Sequence, residues 1–189
     1  MKIRCIRNIG KDIPQEILKD YCSPDSNIPL ILGKEYVVYA ISEYYDNIWY
    51  CICDESYSYY PMWIPFPFFE ISDNHLSRYW IFSFKQDKPK NRPFFGFPEW
   101  ALEQVFYDNL TDGADREVAL FKAYKELMDL EFPDSFISQA AQIGDDRWLI
   151  CPVCFEAWED YNKLDGMVKC PKCNTILHNP RNENEYFEI

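Results

Sequence analysis

Between residues 30 and 85, apolar and aromatic side chains come in short runs separated by Asp, Asn, Ser and Pro clusters, a pattern that predicts strands joined by close turns. Tyr36-Val37-Val38-Tyr39-Ala40-Ile41, preceded by the turn residue Gly33, is one predicted strand. Ile48-Trp49-Tyr50-Cys51-Ile52-Cys53 is a second, with Asp46-Asn47 as the turn before it. Phe68-Phe69-Glu70-Ile71 and Tyr79-Trp80-Ile81-Phe82-Ser83-Phe84 complete the set. Between them Pro61, Pro65 and Pro67 remove ladder donors, so residues 60–67 fit an extended aromatic loop or a sheet edge and not a central strand.

After Lys85 the pattern changes. Residues 86–97 mix charges with Pro89, Pro93 and Gly96 and read as a linker. Pro98 suits a first helical position, and Trp100, Leu102, Val105, Phe106 and Leu110 recur at helical spacing up to the Thr111-Asp112-Gly113 turn. Asp115 is placed to cap a second helix with an apolar stripe of Val118, Phe121, Tyr124, Leu127 and Met128. Phe132-Pro133-Asp134 opens a third that runs through Ile143 and is closed by Gly144. The expected organisation is a β-rich domain over 1–85, a linker over 86–97, a helical segment over 98–144, a cysteine-rich module over 145–180 and a tail over 181–189.

The run Gly33-Lys34-Glu35-Tyr36-Val37-Val38, the strand pair after it, Pro65-Phe66-Pro67 and Phe69-Glu70-Ile71 together resemble small bacterial SH3-like barrel domains. The resemblance covers about forty residues. It implies a small, strongly curved barrel.

The sharpest chemical signal is at the C-terminal end. Cys151-Pro152-Val153-Cys154 and Cys170-Pro171-Lys172-Cys173 are two CxxC pairs separated by the 15 residues from Phe155 to Lys169. A CxxC turn sets two thiolates on one edge of a tight knuckle, and two knuckles at the tips of adjacent hairpins supply four sulfurs at tetrahedral angles. The spacer is long enough for a strand out, near Phe155 to Glu159, and a strand back, near Gly166 to Lys169, with Trp148-Leu149-Ile150 leading in and Thr175-Ile176-Leu177 leading out. Cys151, Cys154, Cys170 and Cys173 are therefore the expected ligands of one structural Zn2+, with iron as the competing ion. The module resembles the zinc ribbon family, with a rubredoxin-like four-cysteine site, in which the metal replaces a hydrophobic core. Many such knuckles have glycine after the second cysteine. Phe155 and Asn174 stand there instead, and Asn tolerates positive φ where Phe does not, so either the first knuckle uses a different turn or Phe155 is strained. The fold class expected for the whole chain is α+β: an SH3-like β-barrel, a short helical segment and a C-terminal zinc ribbon.

Other combinations carry less. Cys51 and Cys53 with Cys5 and Cys22 have no knuckle spacing, and cysteine is a common small core residue. His75 and His178 are the two histidines of the chain; His75 after a Ser-Asp-Asn turn reads as exposed, and His178, five residues past Cys173, as packing. Asp145-Asp146 fit a turn or cap, and six glycines leave little for a phosphate loop. No catalytic constellation emerges, so a non-enzymatic role is favoured.

Composition narrows the function further. An apolar fraction of 48% and an aromatic fraction of 18% support a folded body. The opening MKIRCIRNIGKDIPQ breaks any signal-like apolar run, and no stretch approaches the ~18 apolar residues of a membrane span, so a cytoplasmic protein is expected. With 19 basic and 31 acidic side chains the net charge is -12, which opposes nucleic-acid binding and favours a basic protein partner. Tyr57, Tyr59, Tyr60, Trp63 and Phe66 are the candidate contact residues, because aromatics dominate binding patches. The expected function is a non-catalytic zinc protein acting through protein–protein contact, as an acidic inhibitor or immunity protein against a basic toxin. A nucleic-acid-associated zinc ribbon and an enzyme with an unrecognised site are the alternatives.

Overall fold

The computed structural model describes residues 1–19, 21–53, 60–86, 90–132, 139–145 and 147–182. It divides the chain into two compact units, Met1–Lys125 and Glu126–Ile189. Both are built from small antiparallel sheets with few helices, and no sheet among the described residues closes into a barrel.

The first unit has two sheets. In the smaller, β1 (Lys2–Cys5) lies between β2 (Glu35–Val37) and β6 (Phe69–Asp73). Strand β1 alternates as a strand with one buried face must: Ile3 and Cys5 point into the core, while Lys2 and Arg4 reach Glu35 at 2.6 and 3.0 Å. The larger sheet runs β5 (Met62–Pro65), β4 (Asn47–Ile52), β3 (Ala40–Tyr44), β8 (Arg92–Gly96), β7 (Ile81–Lys85). Strands β3 and β4 are joined by Tyr45 and Asp46, with φ of 50° and 57°, the paired left-handed residues of a two-residue hairpin turn.

The sheets account for the missing SH3-like barrel. The predicted strand from Tyr36 to Ile41 breaks at Val38-Tyr39, which sends β2 to one sheet and β3 to the other. The larger sheet ends at β5 and β7. The proline-rich stretch does supply β5, an edge strand, which is where missing donors cost least. Residues 92–96, expected within a linker, pair as β8 between β3 and β7.

A core of Met1, Ile3, Leu18, Tyr36, Val38, Ile52, Ile64 and Phe68 draws on both sheets and on α1 (Gln15–Leu18). A second apolar region is almost wholly aromatic. Trp100, in α2 (Pro98–Leu102), is buried and meets the rings of Trp63, Phe94, Phe97, Phe106, Tyr107 and Phe121 at centroid distances of 5.6–6.1 Å. Phe106 and Tyr107 come from α3 (Phe106–Thr111) and Phe121 from α4 (Asp115–Glu131). The single helix expected over Pro98–Leu110 is two, because the backbone is extended at Glu103. The boundary between the units falls inside α4, where Phe121 and Met128 are buried as the stripe predicts and Leu127 is exposed.

The second unit has a sheet of β9 (Gln142–Ile143), β10 (Trp148–Ile150) and β11 (Ala157–Glu159), and a hairpin of β12 (Met167–Lys169) and β13 (Ile176–His178). Much of the expected third helix, residues 133–138, lies outside the described residues. It does not reach Ile143, since Ala140 bridges to His178 and β9 pairs with β10. No helix among the described residues is long and apolar enough to cross a membrane.

One buried amine makes the stability of the first unit depend on pH in the alkaline range. Lys85 Nζ donates to the carbonyl oxygens of Trp100 and Glu103 and sits 4.8 Å from the Phe94 ring centroid. Burial, and secondly Arg92, pull its pKa from the ordinary 10.5 to about 8. Below pH 8 both folded and unfolded chains carry this proton. Between about 8 and 10.5 only the unfolded chain holds it, so stability rises with pH. One proton contributes at most about 1.4 kcal/mol per pH unit. Urea unfolding of the parent and of Lys85→Met at pH 7.5, 8.5 and 9.5 should show a rise in the parent that the variant lacks; parallel profiles would contradict the assignment.

Candidate metal centre

The two cysteine pairs sit on turns of the same shape. In the first, the Phe155 amide donates to the Cys151 carbonyl at 2.9 Å and the Cys151 amide to the Glu156 carbonyl at 2.9 Å. In the second, Asn174 donates to Cys170 at 3.0 Å and Cys170 to Thr175 at 2.9 Å. Phe155 and Asn174 both have φ of 59°. The first turn is therefore not a different one: it is the same left-handed turn with a residue disfavoured there. Strands β10 and β11 carry one knuckle and β12 and β13 the other, close to the predicted positions.

The turns bring four sulfurs together. The Sγ atoms of Cys151, Cys154, Cys170 and Cys173 all lie within 4.8 Å of one another, the only group of metal-ligating side chains found among the described residues. Cys151 and Cys173 are 3.7 Å apart and Cys154 and Cys170 3.6 Å, far beyond a disulfide bond of about 2.05 Å. A tetrahedron with Zn–S bonds of ~2.3 Å has edges of about 3.8 Å, so the donor set fits a metal ion such as zinc. All four positions would be protein ligands, which leaves none for substrate or water.

The surroundings act on the thiols in opposite directions. The Thr175 hydroxyl lies 3.1 Å from Cys173 Sγ, and with the Thr175 amide it holds that thiol down at about 6. At Cys154 the Glu156 amide also lowers the pKa, but partial desolvation and hydrogen bonds with the other three sulfurs outweigh it and push the thiol up to about 12. Four crowded sulfurs ionise together only when a cation joins them. Lys172 pairs with Glu156 at 3.0 Å across the two knuckles, and Lys169 with Glu126 at 2.5 Å.

Below the knuckles, Ala141, Leu149, Val168 and Leu177 form a small core with Cys151 and Cys170. Polar side chains fix the long spacer. Asn179 Nδ2 donates to the carbonyls of Asn162 and Asp165, both at 2.9 Å. Arg181 donates to the Asp160 carbonyl at 2.7 Å and the Asp145 carbonyl at 3.1 Å. His178 serves as a backbone link, accepting from Ala141 and donating to Gln139. None of these ties was foreseen from sequence; they depend on which loop carbonyls turn inward.

The other candidates are scattered. Cys5 and Cys51 are buried, Cys22 and Cys53 are half-buried, and they assemble no metal cluster among the described residues. His75 Nδ1 is 2.6 Å from Asp73 Oδ1 on an exposed loop. Tyr57 and Tyr59 lie outside the described residues. Tyr60 and Trp63 line, with Met62 and Tyr107, a cavity of about 560 Å³. Trp63 is also part of the aromatic core, whereas Phe66 is 43% exposed. Sequence reasoning missed a different aromatic group. On β7, an edge strand, Phe82 and Phe84 are 53% and 57% exposed; their rings are 5.0 Å apart, and Phe82 meets Phe95 of β8 at 4.9 Å. The i, i+2 spacing of Phe82 and Phe84 was the available signal.

No known protein family, curated protein or solved structure matches the chain.

Metal removal should act on one part of the molecule. Chelation, or Cys170→Ser, is expected to abolish hydrogen-exchange protection and protease resistance across residues 148–180, leaving the amides of β1–β8 protected. Unchanged resistance of 148–180 would show that the metal is dispensable there.

Proposed function

We propose that this chain is a non-catalytic binding protein, with a zinc ribbon as its C-terminal module, that docks a basic protein partner. The observation that carries the reading is the Phe82–Phe84–Phe95 group, in which Phe82 on an edge strand touches both Phe84 beside it and Phe95 of the neighbouring strand, with Phe82 and Phe84 more than half exposed. Exposed aromatic clusters of this kind are costly to leave in water and are enriched at interfaces. An edge strand also offers unpaired backbone groups to a partner. The protective device usual on such an edge is absent from this face: Lys85, the one lysine of β7, is buried against α2.

The partner's charge follows from this chain's own. At -12 the protein attracts cationic surfaces and repels nucleic acid. A four-sulfur site filled by zinc supports the fold and takes no part in chemistry. These features are what an acidic inhibitor or immunity protein against a basic toxin requires: charge for fast association and aromatic anchors for retention. Phe66 and the cavity beside Tyr60 and Trp63 offer a second anchoring point.

Capture at low salt from the native host should retain one basic protein at one-to-one stoichiometry, with one zinc per chain. Phe82→Ser with Phe84→Ser should weaken that capture at least tenfold, about 1.4 kcal/mol, without lowering the thermal midpoint. Nucleic acid retained in its place, or capture indifferent to the double substitution, would overturn the reading.

A further inference from the structure

The equivalent positions of the two knuckles hold unlike residues. Asn174 has φ of 59°, a conformation that its short polar side chain tolerates. Phe155 has the same φ, at a cost of roughly 1–2 kcal/mol for a residue of its kind. A buried ring would recover that cost by packing. Phe155 does not: it is 78% exposed, and its ring meets no other aromatic ring among the described residues. Tyr45, the other aromatic at positive φ, is different, because its ring reaches Trp49 at 6.5 Å. Phe155 is thus strained in its backbone and unused by the fold in its side chain, a combination that points to an external contact. Val153, on the same turn, is also exposed.

We infer that the tip of the first knuckle, Val153 and Phe155, is a docking point for a basic segment of a protein partner, with Phe155 entering an apolar socket flanked by Lys or Arg. The net charge of its stretch of chain selects that partner. Residues 126–189 carry 13 acidic and 5 basic side chains, a formal -8. Lys172, on the neighbouring tip, is taken up by Glu156. Four thiolates around a divalent ion add a further local -2. A second copy of this chain would bring two such surfaces together against their mutual repulsion. The inference rests on the binding-protein reading above and adds where the second unit meets the partner.

The experiment uses the full chain loaded with zinc, and Phe155→Asn, the residue that the second knuckle already accepts. A random phage-displayed peptide library is selected on the parent, and the enriched peptides are assayed on both proteins. Peptides rich in Lys and Arg around an aliphatic or aromatic residue are expected, binding Phe155→Asn at least tenfold more weakly. The thermal midpoint of Phe155→Asn should stay level or rise, since strain is removed and no packing is lost. A lower midpoint would make the ring part of the fold and overturn the inference. So would an empty selection, peptides that bind both proteins alike, enriched peptides that are neutral or acidic, or a parent dimer that Phe155→Asn abolishes. A host protein captured through Phe82 and Phe84 but indifferent to Phe155→Asn would sink this inference alone and leave the binding-protein reading intact.

Discussion

Four sulfur atoms within 4.8 Å of one another are the constraint on which the second unit depends. A unit of about 60 residues buries too small a fraction of its surface to be more than marginal on its own. The buried cluster beside the knuckles has six members, and two of those are cysteines. A four-thiolate zinc site supplies about 10–16 kcal/mol in small zinc peptides, which exceeds what so small a core contributes. The three-residue strands, the left-handed turns and the side-chain clamps of Asn179 and Arg181 are each weak. They become a structure because the sulfurs fix the two hairpins at both tips.

The first unit meets the same demand by another means. Trp100 is buried among six rings from β5, β8, the residue before α2, α3 and α4, so short helices that would not persist alone are held by edge and face contacts to one indole. Even a lysine is drawn in: Lys85 caps the backbone end of α2 from β7, and its burial there lowers its pKa.

How much of this could be read beforehand depended on whether the signal was local. The cysteine spacing is local chemistry, and the knuckles, their strands and the sulfur cluster appear where the pattern placed them. Strand β4, the edge character of residues 62–65 and the burial of Phe121 and Met128 on α4 were legible for the same reason. Strand β1 was hidden because only Ile3 and Cys5 carry its alternation, between charged neighbours whose ion pairs lie across the sheet. Strand β8 was hidden by Pro93 and the charges before it; its place between β3 and β7 is a tertiary fact. The break at Val38-Tyr39, which replaces a barrel by two sheets, leaves no mark in a run that is apolar throughout. The spacing of Phe82 and Phe84 sets both rings on one face of β7, but nothing in IFSFK says which strand ends a sheet.

The unequal knuckles show how the two kinds of information meet. The sequence raised the conflict at Phe155, a bulky residue where glycine is usual, and the structure resolves it in favour of strain over a different turn. Strain of roughly 1–2 kcal/mol would be a large fraction of the stability of an unsupported 60-residue unit. Beside the several-fold larger contribution that a bound metal ion would make it is minor, so an ion held by the four sulfurs would free this position from the demands of folding. Asn174 shows that a tolerant residue fits the same backbone. An exposed phenylalanine there is therefore tied to what the turn touches, because neither the hairpin geometry nor the core of the unit has any use for the ring.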